Sequence, residues 1–284
     1  LPQVLNPASG FIQNGNSSPF QTTIGPENPD PADYSPTLGI ETGMSNRALR
    51  ALELFGADES ITAEEFQTYK FDMVYSANSD IPRYVEAILS APELESADAA
   101  TQEAVALLRD WDQQTDPDSR ATALMVLTLN YVNDHGHVNP SKLVGAEIDR
   151  AVVVQGFQEA VATLQENFGQ VDVPWSEVNR LVRGAADLGL GGAPDVLHAV
   201  YGELGEDGRF HGIAGDSYIL LVSWDANGQV SSQSIHQFGS ATLDETSPHY
   251  ADQAPLFVRR ELKPVWMDEA TIRANLERAY RPGE

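Results

Sequence analysis

Two segments of the chain hold residue types that can do chemistry at suggestive spacing. The first is residues 6–19, running Asn6-Pro7-Ala8-Ser9-Gly10-Phe11-Ile12-Gln13-Asn14-Gly15-Asn16-Ser17-Ser18-Pro19, with three asparagines and three serines. An asparagine N–H held by packing can be aimed at a carbonyl oxygen as it becomes an anion, and one such donor is worth about 3–4 kcal/mol in the transition state. The same composition fits a turn-rich arm, because Asn tolerates positive φ and hydrogen-bonds its own backbone. Both readings stand on composition alone. The second segment is Ser234-Ile235-His236-Gln237-Phe238-Gly239-Ser240 followed by Ser247-Pro248-His249-Tyr250-Ala251-Asp252-Gln253. Its two histidines suit general acid–base work. With no nucleophile motif in reach, a buried histidine bonded to backbone fits them better.

Self-contained catalytic motifs are absent from the sequence: no Gly-x-Ser-x-Gly elbow, no P-loop and no His-Glu-x-x-His. Gly189-Leu190-Gly191-Gly192 is glycine-rich but follows an expected helix and lacks dinucleotide spacing, so it reads as a loop. His135 and His137 alternate as two metal ligands can in extended chain. A metal site needs three or four ligands, and a polar turn capping the preceding helix accounts for the pair. Gly215-Asp216-Ser217 reads as the polar start of a strand.

The elements that must position these residues fall into blocks. Residues 1–43, punctuated by prolines, form an ordered arm with one short strand expected at 10–13; Phe11, Ile12, Phe20 and Tyr34 need something to pack on. Residues 44–190 read as a helical block. Leu49, Leu52 and Phe55 make an apolar stripe, Thr62 and Glu65 a capping box, and Pro82 a helix start. Further helices are expected over 101–111, 119–132, 146–168 and 175–188. Residues 209–284 bring strands, with 218–224 and 229–236 joined by the turn Asp225-Ala226-Asn227-Gly228, and a last helix over 268–280. Helices and strands are segregated along the chain, which predicts an α+β class.

Composition bounds the function. The 284 residues carry 17 Lys+Arg against 42 Asp+Glu, a net charge of −25. Such a surface repels phosphate backbones and anionic membranes, so neither nucleic acid nor membrane is an expected partner. The absence of cysteine removes disulfides, thiolate metal sites and cysteine nucleophiles. No apolar run approaches the roughly 20 residues that cross a bilayer. The opening Leu1-Pro2-Gln3-Val4 reads as the start of a processed or trimmed polypeptide.

With these segments in view, the chain resembles the penicillin acylase family of N-terminal-nucleophile hydrolases, in its acyl-homoserine-lactone-acylase-like branch. Residues 10–19 reproduce the family's Gly-aromatic-Ile/Leu-x-Asn-x-Asn-x-x-Pro segment. Gln237–Gly239 with 247–253 matches its late Gln-x-Gly…Ser-Pro-His-Tyr-x-Asp-Gln block. Leu108-Arg109-Asp110-Trp111-Asp112, the segment 174–180 and Gly191-Gly192-Ala193-Pro194-Asp195 resemble further blocks, so the likeness runs over nearly the whole chain.

The resemblance implies an amide hydrolase that removes an acyl chain from an N-acyl substrate. Acyl-homoserine lactones lead, with penicillin, cephalosporin or cyclic lipopeptide amides as the alternative; a non-catalytic helical interaction domain is the reading of another class. It implies a precursor cut autocatalytically into small and large subunits, the first residue of the large one being a Ser nucleophile activated by its own α-amine. Asn16 matches the oxyanion donor, and Arg47 the arginine that supports it. Since position 1 is Leu and Asn16 falls so early, residues 1–284 are expected to be a single partial domain, the C-terminal portion of the large subunit in a four-layer αββα fold. That portion alone is expected to be inactive; its partners are the Ser-bearing part of the large subunit, the small subunit and the small-molecule substrate. No cofactor is expected, although some relatives hold calcium, to which Glu27, Asp30 or Asp33 could give one carboxylate. Family members are usually exported, which implies the periplasm or the exterior.

Overall fold

The computed structural model describes residues 1–136, 138–241, 243–281 and 283. It divides into two compact units, Leu1–Gly215 and Asp216–Glu284. Helices come first and most strands later, so the class is α+β as the segregation of patterns predicts.

The first unit opens with the arm. Three short 3-10 turns, Pro19–Gln21, Pro31–Asp33 and Pro36–Leu38, each start on proline and are capped by the side chains of Ser18, Asp30 and Ser35. The strand expected at 10–13 does not form. Instead the Gln13 amide donates to Thr22 O at 2.8 Å, closing a loop rather than joining a ladder. Phe11 packs on Phe55 with ring centroids 5.5 Å apart, and Phe20 on Tyr34 at 5.5 Å, which supplies the arm with the contacts its aromatics need.

The helices follow: α1 Asn46–Ala57, α2 Ala63–Lys70, α3 Ile81–Leu89, α4 Pro92–Glu95, α5 Ala99–Arg109, α6 Thr122–Asp134, α7 Arg150–Phe168 and α8 Trp175–Val178. Local signals set their starts. Ser45 caps α1, Thr62 and Glu65 form the expected capping box on α2, and Asp149 caps α7 through Ala151 N and Val152 N. α6 is apolar nearly all round and is the buried centre, as an apolar helix in water-soluble surroundings must be. Around it Tyr84, Ile88, Leu108, Phe157, Leu164 and Trp175 complete one core.

The expected helix over 175–188 is largely absent. After the single turn of α8, the chain forms β1 (Asn179–Arg183) and β2 (Ala186–Gly189), an antiparallel hairpin in register from Arg180↔Gly189 to Arg183↔Ala186. Val178, Leu181 and Val182 fall at i, i+3 and i+4, the helical spacing, which the local turn overrides. The decision falls to Gly184, whose φ of 58° closes the hairpin, and to the ion pair of Arg180 Nε with Asp187 Oδ1 at 2.8 Å across it. With β3 (Val200–Leu204) and β4 (Phe210–Gly215) these strands form a sheet of order β2-β1-β4-β3, in which β1 and β4 run parallel.

The second unit contains the predicted hairpin. β5 (Tyr218–Trp224) pairs with β6 (Val230–His236) from Tyr218↔His236 to Trp224↔Val230, and β7 (Lys263–Pro264) extends the sheet. Asp225 fixes the turn by accepting from the amides of Asn227 and Gln229, both at 2.8 Å. α9 (Ala254–Val258) and α10 (Glu269–Ala274) follow. The last helix is shorter than the predicted 268–280, because the Asn275 side chain turns back onto Thr271 O at 2.9 Å and closes it.

Phe157 lies fully buried in α7. Phe157→Ala should lower the unfolding free energy by about 3–5 kcal/mol, read by urea denaturation of the protein. A midpoint equal to that of the wild type would remove the α6–α7 contact from the core.

Candidate active site

The Asn14–Ser17 loop is shaped by side chains. Gln13 is buried; its Oε1 accepts from the Gly15 amide at 2.9 Å and its Nε2 donates to Gln21 O at 2.7 Å. Asn14 Oδ1 accepts from the Asn16 amide at 3.0 Å, and the Ser45 hydroxyl donates to Gly15 O at 2.8 Å. Asn16 is thereby held at φ 57°, a left-handed conformation that costs most residues roughly 1–2 kcal/mol and is tolerated best, after glycine, by Asn. Gly15 has a steric reason to be glycine: a methyl group there would stand 2.9 Å from the Ala48 amide nitrogen in the first turn of α1.

That same turn of α1 carries Arg47. Its Nη1 donates to Asn16 Oδ1 at 3.0 Å, and its Nε pairs with Asp195 Oδ1 at 3.2 Å. The two residues singled out in the sequence, Asn16 and Arg47, are therefore brought into direct contact. A carboxamide is planar, so a guanidinium on its oxygen fixes the plane in which its nitrogen projects. Asn16 is exposed, and among the described residues its Nδ2 donates to nothing. An N–H so placed, polarised by an adjacent cation, can stabilise an oxyanion.

Asp195 ends the block Gly191-Gly192-Ala193-Pro194-Asp195 and anchors Arg47. It is buried, with a φ of 61°. Its Oδ2 accepts from the backbone amides of Asn46 at 2.8 Å and Leu143 at 2.9 Å, while its Oδ1 takes Arg47. Its own amide donates to the Tyr201 hydroxyl at 3.3 Å. Asn46 in turn donates to Asp195 O at 2.9 Å and accepts from the Ser76 amide at 2.7 Å. Burial raises the Asp195 carboxyl pKa above the ordinary value, and the Leu143 and Asn46 amides and Arg47 oppose that rise. Burial pushes the neighbouring Tyr75 hydroxyl well above its usual range; it donates to Pro194 O at 2.9 Å. The one sequence signal for Asp195 is its place after Gly191-Gly192-Ala193-Pro194. Gly192 has a steric reason to be glycine, since a side chain there would run into the His198 carbonyl.

The remaining candidates have other duties. His236 stacks against Tyr218 with centroids 4.7 Å apart, and its backbone amide donates to Gln253 Oε1 at 3.0 Å. His249 is not buried against backbone as its motif suggests. Its exposed ring pairs through Nδ1 with Asp252 Oδ2 at 2.8 Å and faces Glu277 at 3.7 Å, while its backbone carbonyl accepts from Ala241 N at 3.0 Å. Segment 247–253 thus knots the second unit, with Gln253 N donating to Phe238 O at 2.9 Å. His135 Nδ1 lies 2.8 Å from Tyr131 O at the end of α6, the capping role expected of it, and His137 lies outside the described residues. Gly215 ends β4 and Ser217 precedes β5. Of the calcium candidates, Glu27 accepts from Ala8 N at 3.3 Å and Asp30 from Ala32 N at 2.8 Å. Among the described residues no three His, Asp or Glu side chains group as a metal site. Nor is any described helix long and apolar enough to cross a membrane.

Asp195→Ala should cost about 3–5 kcal/mol of stability, because it strands a partly buried guanidinium and two buried amides; chemical denaturation checks this, and a loss under about 1 kcal/mol would mean the pair behaves as a surface one. His249 offers a second test. Its pKa is raised, chiefly by the Asp252 hydrogen bond. Raised in the fold, it contributes stability below the free imidazole value of about 6.5, which is lost as pH rises through the raised value. NMR titration should find its midpoint above that of free histidine, and Asp252→Asn should bring it back down; a midpoint at or below the free value would break the pairing.

Similarity to known proteins runs along nearly the whole chain. The penicillin amidase family model matches residues 1–274. The acyl-homoserine lactone acylase PvdQ of Pseudomonas syringae pv. syringae is 24% identical over 296 residues, covering 96% of this chain and 37% of that protein. PvdQ of Pseudomonas fluorescens is 26% identical over 138 residues, covering 46% of this chain and 18% of its own length. The chain therefore spans well under half the length of the curated relatives it matches. Among solved structures, a thermostable penicillin G acylase from Alcaligenes faecalis aligns over 91% of this chain and 56% of its own, with 15% identity and a TM-score of 0.44. A family match across nearly every residue leaves one conclusion, that the chain belongs to the penicillin amidase family.

Proposed function

We propose that this chain supplies the oxyanion-stabilising part of an acylase that cleaves the acyl chain from an N-acyl substrate, acyl-homoserine lactones being the leading class. The contact of Arg47 Nη1 with Asn16 Oδ1 carries the reading, since it leaves the Asn16 N–H as an aimed, unoccupied donor. The names of the two PvdQ relatives support the substrate class.

The nucleophile in this reading is an N-terminal Ser on another part of the enzyme. Its hydroxyl attacks the amide carbonyl carbon while its own α-amine takes the proton. The carbonyl oxygen becomes an anion and receives the Asn16 Nδ2–H, with the Arg47 charge behind it. Collapse of the intermediate expels the amine, which takes up the proton, and leaves an acyl ester on the serine. Water attacks that ester through a second anion at the same donor and releases the acid. Autocatalytic processing of a precursor would generate the serine and a small subunit, with the assembled enzyme in the periplasm or outside the cell.

In the complete enzyme, Asn16→Ala should lower kcat by about 10²–10³-fold, as loss of one oxyanion donor does. Release of homoserine lactone, against release of a β-lactam nucleus or a lipopeptide amine, assigns the substrate. An unchanged kcat would show that Asn16 is not the donor. Mass spectrometry of the purified enzyme should find a companion polypeptide beginning with Ser, and a lone active species would remove the processing scheme.

A further inference from the structure

Resting on the oxyanion reading above, we propose that the Ser45 hydroxyl is the positioning residue that sets the direction of the Asn16 amide. The direction in which Asn16 projects its side chain follows from its φ, and φ is set by the plane of the peptide between residues 15 and 16. Both polar ends of that peptide are held by side chains. Its N–H donates to Asn14 Oδ1 at 3.0 Å, and its carbonyl oxygen accepts from Ser45 Oγ at 2.8 Å.

Asn14 is exposed and its contact lies within the loop, so it turns with the loop. Ser45 is fully buried and belongs to the opposite wall. It is the N-cap of α1, and its Oγ accepts from the Ala48 amide at 3.2 Å. One oxygen therefore does two things. As acceptor it starts α1 and fixes where Arg47, two residues on, leaves the helix; as donor it fixes the peptide from which Asn16 springs. The meeting of Arg47 with Asn16 Oδ1 depends on both, and Gly15 allows it because no side chain separates that peptide from the helix turn. Any N-cap residue can do the first task. Only one with a proton to give can do the second.

That difference supplies the test in the complete enzyme. Ser45→Asp keeps the cap, since an ionised carboxylate accepts the Ala48 N–H, but has no proton for Gly15 O. Ser45→Ala loses both contacts, and Ser45→Thr keeps both. We expect kcat to fall about 10- to 100-fold in Ser45→Ala and Ser45→Asp with KM unchanged, as misplacement of a catalytic group does. Ser45→Thr should rescue it. Combined with Asn16→Ala, Ser45→Ala should cost no further kcat, because its effect passes through Asn16. The same loss in both backgrounds, or a wild-type kcat in Ser45→Ala or Ser45→Asp, overturns the proposal. If Ser45→Asp does not fold, the Ser45→Ala cycle decides. If Asn16→Ala itself turns over at the wild-type rate, the oxyanion reading falls and takes this proposal with it; a slow Asn16→Ala beside fast Ser45 variants sinks this proposal alone.

Discussion

A carboxylate shut away from water is unfavourable unless charges and amides replace the solvent around it. Asp195 meets that condition by gathering three segments distant in sequence: the first turn of α1, the loop at Leu143 and its own turn after Gly192. The first two donate to its carboxylate, through the Asn46 and Leu143 amides and the Arg47 guanidinium. The N-terminal end of α1, where backbone N–H groups have no helical partner, is a favourable place for the negative charge. Removing that charge would leave Arg47 pointing into a wall with no counter-ion.

From that fixed point a gradient runs outward. Asp195 is fully buried, the Arg47 side chain is about one-fifth exposed, and Asn16 faces solvent. The guanidinium suits the middle position because it stays charged and presents donors on two edges. One edge is spent on Asp195 and the other on Asn16, so the side chain cannot swing without giving up a contact. Rigidity of the core is thereby carried to a polar group at the surface, which is what an electrostatic catalyst requires, since its dipole must not reorganise as charge develops.

Strain marks the same residues. Among the described residues only five other than glycine have positive φ, and Asn16 and Asp195 are two of them. Each is held there by bonds from its surroundings: Asn16 by Asn14 and Arg47, Asp195 by Arg47, Leu143 and Tyr201. Backbone held against preference persists where the environment over-determines it, and such positions cluster at working sites. The second unit shows the contrasting use of a motif. There segment 247–253 spends its polar groups on tying a turn to β6 through His236 and Gln253.

What the sequence by itself determined is local. The capping box at Thr62, the proline-led turns, the Asp225 turn and the β5–β6 pairing are set by residues within a few positions of one another, so their patterns are legible without a structure. Asn16 and Arg47 were singled out by the family resemblance, not by composition. Where a turn and a cross-strand ion pair override a helical spacing, as at Leu181 and Val182, pattern gave the wrong element, and at Asn275 it gave the right helix with too late an end. The tertiary structure alone decided that Arg47 reaches Asn16 and that Asp195 anchors Arg47. The second of these contacts spans 148 residues, and its strength comes from the exclusion of water, a property that no spacing in the chain records.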